Sequence, residues 1–86
     1  MKTIVENATN LSKYLFDDSN PVSMGSDMIA VGDPDHLDFY IGDLNSSNAT
    51  LHENVTNAPE DWTGNKYTFD GTTWTQNPNW VDPNPE

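Results

Sequence analysis

The sequence contains no cysteine, so neither a disulfide nor a thiolate metal site can stabilise the fold. Helical periodicity is also missing, because Asn, Thr, Asp, Gly and Pro interrupt every apolar stripe before three turns are complete. No apolar run approaches the roughly 20 residues of a transmembrane helix, and the opening MKTIVENATN turns polar too early for a signal peptide. These absences favour a small all-β protein.

Basic residues are the second scarcity. The chain has 3 lysines and arginines against 14 acidic residues, and its formal net charge is −11. Only Lys2, Lys13 and Lys66 are available for phosphate contacts, so we predict neither nucleic-acid binding nor attachment to an anionic membrane. A partner surface is expected to be neutral or basic.

Apolar residues are scarce as well. They make up 34% of the 86 residues, whereas ordinary globular chains have roughly 45–50% with glycine included. A chain of this length buries only roughly 60–65% of the surface that it exposes when unfolded. Three Trp, three Tyr and three Phe in periodic segments nevertheless argue against disorder. We therefore predict one thin domain, residues 1–76, that gains stability by docking on something larger.

Short β-type runs bounded by turn formers recur along this domain. The predicted strands cover residues 3–6, 13–16, 28–31, 37–41 and 49–56, with Gly32 and Pro34 ending the third. Residues 11–18 can alternatively form one short helix with Asn10 as its N-cap. The strands predict an antiparallel sheet, folded as a sandwich or partial barrel, with one face packed and the other exposed. In the fourth strand, Leu37, Phe39 and Ile41 would share one face.

The segment KYTFDGTTWT, residues 66–75, predicts a C-terminal hairpin. Asp70-Gly71 is typical of a two-residue type I′ turn, and that turn would place Tyr67 directly opposite Trp74. The face expected to be buried carries Tyr67, Phe69, Thr72 and Trp74. With so few aliphatic residues available, the predicted core aromatics are Trp62, Tyr67, Phe69 and Trp74.

The C-terminal segment QNPNWVDPNPE is rich in proline, which excludes a helix or a central strand. Residues 77–86 are therefore predicted to be an extended tail. Its tryptophan either folds back on the chain's own sheet or anchors a neighbouring subunit. The predicted partner-binding residues are Pro78, Trp80, Val81 and Pro83.

Motifs that would indicate metal binding, catalysis or nucleotide binding are weak. An EF-hand loop starting at Asp33 would need glycine at its sixth position and glutamate at its twelfth, but Asp38 and Leu44 stand there. No nucleophile elbow and no nucleotide-binding glycine loop occurs. We predict no catalytic residue, metal or cofactor. A flat aromatic platform that includes Trp62 and Trp80 would instead suit stacking on sugar rings.

Two segments carry a resemblance: MKTIVENATNLSKYLFDD and FYIGDLNSSNATLHENVTNAPEDWTGNKYTFDGTTWTQNPNW. Together they resemble small, mostly uncharacterised proteins encoded by tailed phages of marine cyanobacteria, in which an IGDLNSSNATLHENV segment precedes a similar aromatic ending. The similarity covers most of the chain apart from residues 22–36. It implies a virion location but carries over no functional residue.

The resemblance implies a non-enzymatic virion structural protein, an external capsid decoration or minor virion protein. Its partners would be other virion proteins of the capsid or tail, and it would be bound in a lattice or form a homo-oligomer. One alternative is a host-surface module of a tail or capsid that binds glycans through Trp62 and Trp80. Another is an early phage protein that covers the basic surface of a host protein as an acidic mimic of nucleic acid.

Overall fold

The computed structural model describes residues 1–33 and 35–80, and within them every regular element is a β-strand. The strands are β1 Lys2–Glu6, β2 Ser12–Phe16, β3 Val22–Met24, β4 Ile29–Asp33, β5 His36–Ile41, β6 Ala49–His52, β7 Tyr67–Phe69 and β8 Trp74–Gln76. They pair antiparallel in three sheets, β2-β1-β6, β3-β4-β5 and β7-β8, so the predicted all-β class is confirmed. No helix in this part of the chain has the length and apolar character needed to cross a membrane.

Strand β1 is the centre of the molecule. Its residues Thr3, Ile4 and Val5 are consecutive and all buried. Because neighbouring residues of a strand point to opposite faces, the sheet around β1 is covered on both sides. Ile4 belongs to one apolar cluster and Val5 to another. The prediction that one face of the sheet is exposed is therefore wrong for β1, since strands this short need few apolar residues to cover them.

Aliphatic side chains, more than aromatic rings, fill the larger cluster between the β2-β1-β6 and β3-β4-β5 sheets. Its buried members are Ile4, Ile29, Val31, Ile41, Leu44 and Ala49. Of the four aromatic residues predicted as core, Phe69 is buried, while Trp62, Tyr67 and Trp74 are only half-buried. Indole and phenol rings carry a polar group that needs a partner, so they lie more readily at the margin of a small core.

Glycine 32 does not end its strand, contrary to the prediction. Strand β4 continues through Gly32 to Asp33. Val31 lies opposite Phe39 and Gly32 opposite Leu37, so Asp38 is an extra residue that forms a bulge in β5. Gly32 has φ +116°, and a Cβ there would lie 2.6 Å from the Asp38 nitrogen, so only glycine fits this bulge. Pro34 lies outside the described residues.

Other boundaries also differ from the prediction. Residues 12–16 form strand β2, not part of the alternative helix. Strand β6 ends at His52, although the alternating pattern continues to residue 56. Strand β3 was not predicted, and three residues following a proline give little periodic signal.

The C-terminal hairpin has a register different from the predicted one. Phe69 pairs with Trp74, and Tyr67 pairs with Gln76, so the connecting loop contains residues 70–73. The Asp70 carboxylate accepts hydrogen bonds from the backbone nitrogens of Thr72 at 2.9 Å and Thr73 at 2.7 Å. Asp70 therefore caps a four-residue loop instead of occupying a two-residue turn.

This shift in register has a limited effect on the faces of the hairpin. A shift of two residues preserves the strand alternation, so Tyr67, Phe69 and Trp74 still share one face. Thr72, in contrast, lies in the loop and not on that face.

The segment after β8 begins with a turn, not with extended chain. The Asn77 nitrogen donates to the Lys66 carbonyl at 2.7 Å, and the Trp80 nitrogen donates to the Asn77 carbonyl at 3.1 Å. Residues 77–80 are thereby held against the start of β7. The predicted partner contacts of Val81 and Pro83 fall outside the described residues.

Candidate functional site

Three aromatic rings meet where the two larger sheets come together. Tyr14 and Phe16 lie two residues apart on β2 and therefore share a face, and their rings stack with centroids 5.9 Å apart. The Phe39 ring of β5 lies 6.2 Å from that of Tyr14 and 6.1 Å from that of Phe16. Strands β2 and β5 are both outer strands of their sheets. We call Tyr14, Phe16 and Phe39 the aromatic seam.

Exposed apolar surface is concentrated beside this seam. On β5, Leu37 is 37% exposed, Phe39 40% and Tyr40 58%. In the part of the chain that the structure describes, the only other large apolar side chains this exposed are Met1 and Met28. A concentration of exposed apolar side chains on one strand of a soluble protein typically marks an interaction surface. Strand β5 is therefore the leading candidate for a functional surface.

Sequence reasoning missed this surface. It placed Leu37, Phe39 and Ile41 on one packed face, but only Ile41 is buried. The extra residue at Asp38 interrupts the alternation on which that prediction rested. One sequence signal was available: the adjacent Phe39 and Tyr40 must lie on opposite faces of a strand, and a chain this poor in apolar residues has little to cover both.

Acidic residues surround the same strand. Asp33, Asp35, Asp38 and Asp43 are all exposed, and the sequence has no lysine or arginine between Lys13 and Lys66. These carboxylates do not converge on one point: the described residues contain no group of three or more His, Asp or Glu side chains that could hold a metal ion. Their collective effect is a negative potential over the exposed apolar surface.

A concavity of about 430 Å³ lies between β6 and the hairpin loop. Its lining includes His52, Val55, Asn57, Phe69 and Gly71. The Asn57 side chain fixes the loop, since it donates to the Thr72 carbonyl at 3.0 Å and accepts from Trp74 Nε1 at 3.2 Å.

The floor of this groove is poorly suited to sugar binding. Phe69 is only 2% exposed, and its ring is covered by Trp74, with centroids 4.3 Å apart, and by the edge of His52, at 5.1 Å. The Phe69 ring is therefore not available for a sugar to stack on. The groove can offer hydrogen bonds from its polar lining, but it lacks an aromatic platform.

The two tryptophans predicted for glycan stacking both contact their own chain. Trp62 Nε1 donates to the buried Ser12 hydroxyl at 2.9 Å. The Lys66 ammonium lies 4.9 Å from the centre of the Trp80 ring. Both indoles are half-buried, and in the described part of the chain no ring contact joins them. The roles of Trp80 and the exposed Pro78 as partner anchors stay predictions.

Three carboxyl groups have a lowered pKa, and each is held by hydrogen bonds. The N-terminal ammonium lowers the pKa of Asp18, the Lys66 ammonium and the Tyr67 hydroxyl lower that of Asp61, and the loop nitrogens of Thr73 and Thr72 lower that of Asp70. The Asp61 carboxylate in turn raises the pKa of Tyr67. All four groups stabilise the chain terminus or the hairpin region, and none lies on β5.

Comparisons with known proteins give no match: no family model, no curated protein and no solved structure is similar to this chain. Function is therefore inferred from the geometry of the chain.

Proposed function

We propose that this protein is a non-enzymatic docking module that binds a larger protein assembly through β5 and the aromatic seam. The observation that carries this proposal is the position of the exposed apolar residues. Leu37, Phe39 and Tyr40 all belong to β5, the longest strand in the described part of the chain, at the outer edge of a sheet. Covering such a surface with a partner stabilises both the complex and the fold.

The proposed setting is a phage particle, in which the chain acts as an external capsid decoration or minor virion protein. The sequence resemblance supports this setting, and physical properties agree with it. A formal charge of −11 keeps the free chain soluble before assembly. The core is small, since the larger cluster has six buried members and the smaller has three. Binding to a partner would therefore add a large fraction of the stability of the free chain.

Purified particles of the phage that encodes the chain provide the first test. Quantitative mass spectrometry should detect the protein in those particles. A copy number near that of the major capsid protein would assign it to the capsid lattice, and a much smaller number to the tail or neck. Its absence from purified particles would overturn the proposed setting.

Surface variants provide the second test. Replacing Leu37 or Phe39 with Ser should reduce incorporation into particles at least several-fold, because each change removes apolar contact area from the proposed interface. Ala8→Ser is the matched control, an apolar-to-serine change at an exposed position in the β1–β2 turn. Equal incorporation of all three variants, confirmed as folded by circular dichroism, would contradict docking through β5.

The glycan-binding alternative makes a different prediction. A glycan array should then give binding that is lost in Trp62→Ala and Trp80→Ala and retained in Leu37→Ser. We favour protein docking because the apolar side chains of β5 are the more exposed, whereas both tryptophans are engaged within the chain.

A further inference from the structure

We propose that β5 accepts an added β-strand, namely an extended segment of a partner protein that carries both basic and apolar side chains. This inference rests on the proposed docking function and specifies how docking occurs. In strand addition, backbone hydrogen bonds supply affinity and the alternating side chains supply specificity. Three features of the structure favour this mode at β5: outward backbone groups without a partner strand, exposed apolar side chains beside them, and negative charge around them.

The first feature is the backbone on the outer edge of β5. The Gly25 nitrogen donates to the Met28 carbonyl at 2.9 Å, and the Gly32 nitrogen donates to the Pro21 carbonyl at 2.8 Å. Met28 and Gly32 therefore direct their backbone groups towards the β3 side of the sheet. In an antiparallel ladder this direction alternates along the strand, so Ala30 does the same, while Ile29 and Val31 face β5.

The same alternation fixes the direction of the β5 groups. Ile41 and Phe39 lie opposite Ile29 and Val31, so they exchange hydrogen bonds with β4. Tyr40 lies opposite Ala30 and therefore directs its N–H and C=O away from the sheet. Among the described residues, β5 pairs with no strand other than β4, and no turn or loop backbone group bonds to Tyr40. Tyr40 therefore offers an outward N–H and C=O pair to which an added strand can bond.

The other outer strands are less suited to this role. Strand β3 has only three residues. Strand β2 already meets the hairpin at its start, where Leu11 bridges to Thr68. Strand β6 has four residues, with its end at His52 packed edge-on against Phe69. Strand β5, with six residues, is the longest of the six outer strands in the described chain, since β7 and β8 of the hairpin have three residues each. Exposed edges of this kind are where proteins add strands.

Charge determines the chemistry of the partner. Asp33, Asp35, Asp38 and Asp43 flank the edge, and the chain has no lysine or arginine between positions 14 and 65. A second copy of the chain would bring the same carboxylates together, with a formal charge of −11 on each molecule. A strand with lysine or arginine is attracted instead, and its apolar side chains can cover Phe39 and the aromatic seam.

The test is an NMR titration of the full chain with the peptide acetyl-TVKIKVKT-amide. Its control is acetyl-TVEIEVET-amide, which has the same pattern with the charge reversed. We expect the lysine peptide to shift the Phe39, Tyr40 and Ile41 resonances and to slow hydrogen exchange of the Tyr40 amide roughly tenfold or more. The glutamate peptide should leave them unchanged. No binding at millimolar lysine peptide, or shifts confined to other strands, would overturn the inference.

Two variants at one position separate backbone from side chain. Tyr40→Pro removes the outward N–H, a change that edge strands tolerate when the lost donor faces solvent. Tyr40→Thr also removes the ring but keeps the N–H. Tyr40→Pro should weaken peptide binding at least about tenfold relative to Tyr40→Thr, because only the former lacks the ladder hydrogen bond. Equal binding by two folded variants would overturn strand addition.

Particle incorporation distinguishes this inference from the proposed function. If Leu37→Ser fails to incorporate and Tyr40→Pro incorporates normally, docking through β5 stands and strand addition is overturned. If the wild-type chain is absent from particles but binds the lysine peptide as described, the virion setting is overturned and the strand acceptor stands. Analytical ultracentrifugation could instead show a homodimer that is lost in Tyr40→Pro. In that case a second copy of the chain binds to β5, and the proposal of a basic partner strand is overturned.

Discussion

The two sides of the β2-β1-β6 sheet are stabilised in different ways. On one side, six buried aliphatic residues form a continuous cluster with the β3-β4-β5 sheet. On the other side, the buried apolar residues of the described chain are Val5, Val55 and Phe69, with Ala58 and Trp74 packed against them. We refer to these as the aliphatic side and the hairpin side. Hydrophobic burial contributes more to stability on the aliphatic side, because this contribution scales with the buried apolar area.

On the hairpin side, directional hydrogen bonds compensate for the smaller buried apolar area. Thr3 Oγ1 donates its one proton to the Tyr14 carbonyl at 2.8 Å, so its contact with Ser12 Oγ must use the Ser12 proton. Ser12 Oγ then accepts from Trp62 Nε1 at 2.9 Å. This series of hydrogen bonds joins the loop before the hairpin to β1 and β2, and each of its side chains has a partner. No buried polar side-chain atom in the described residues lacks a hydrogen-bond partner.

The difference indicates a division of roles. Burial is non-directional and mainly sets the free energy of unfolding, whereas hydrogen bonds fix which groups face each other. Changes on the aliphatic side should therefore reduce global stability most. Changes on the hairpin side should have smaller effects, concentrated on the orientation of the hairpin.

The largest effect is expected from Ile29→Ala on the aliphatic side. Ile29 is 0% exposed, so the change should lower the free energy of unfolding by about 3 kcal/mol through lost burial and a residual cavity. The control is Met28→Ala at the adjacent, 43% exposed residue, which should change it by no more than about 0.5 kcal/mol. Urea denaturation followed by circular dichroism measures both free energies of unfolding. Similar decreases for the two variants would contradict the proposed division of roles between the two sides.

Gly32→Ala should rank next, at about 2 kcal/mol, because a positive φ and a backbone approach of 2.6 Å both oppose a side chain. Gly42→Ala is the matched control, since no atom lies within 4 Å of a Cβ built there. That control should be neutral or slightly stabilising. If Gly32→Ala were equally neutral, the bulge in β5 would not require glycine.

Ser12→Ala tests the hairpin side. It leaves Trp62 Nε1 without its acceptor and should cost about 1.5 kcal/mol, less than the loss at Ile29. Tryptophan emission should shift to longer wavelength in the native state as the Trp62 loop loosens. Ser19→Ala, at an exposed turn residue, is the control and should alter neither stability nor emission. A loss larger than that of Ile29→Ala would reverse the assignment of roles.

The smallest effect concerns Asp70 and depends on pH. Its folded pKa is lowered below the ordinary value of 3.8 by the loop nitrogens, so its charged form stabilises the fold above 3.8. This stabilisation is lost as the pH falls below 3.8 through the lowered pKa. The melting temperature of wild type should exceed that of Asp70→Asn at neutral pH, and the gap should shrink on acidification.

Asp70→Ala provides the contrast for that measurement. It lacks any acceptor for the Thr72 and Thr73 nitrogens, whereas asparagine keeps a neutral one. It should therefore remain less stable than wild type even at low pH. A gap between wild type and Asp70→Asn that does not depend on pH would contradict the charge-based explanation.

Local patterns in the sequence predicted several elements because their causes are local. The short β-type runs predicted at residues 3–6 and 13–16 lie within the observed β1 and β2. The alternation of Tyr67, Phe69 and Trp74 likewise placed them on one face, although the register came out two residues different. The register depended on where the Asp70 side chain finds its donors, and a dipeptide pattern does not specify that.

Other features required the folded chain. The sequence did not predict that Thr3, Ile4 and Val5 are all buried, because burial on both faces depends on what covers β1 from distant segments. The bulge at Asp38 arises where Gly32 meets β5, so neither residue alone signals it. The contact between Trp80 and Lys66, made through a turn at Asn77, also depends on how the folded chain brings these residues together.

The sequence by itself determined the all-β class, the acidity and the small apolar content, because strand propensity, charge and composition belong to individual residues and their immediate neighbours. The tertiary structure alone decided which strand lies at the centre and which at an edge. It thereby decided that the apolar residues of β5 are exposed and that the backbone groups of Tyr40 point outward. Such properties are set by pairing between segments far apart in the chain, and the identity of one segment does not fix its neighbours.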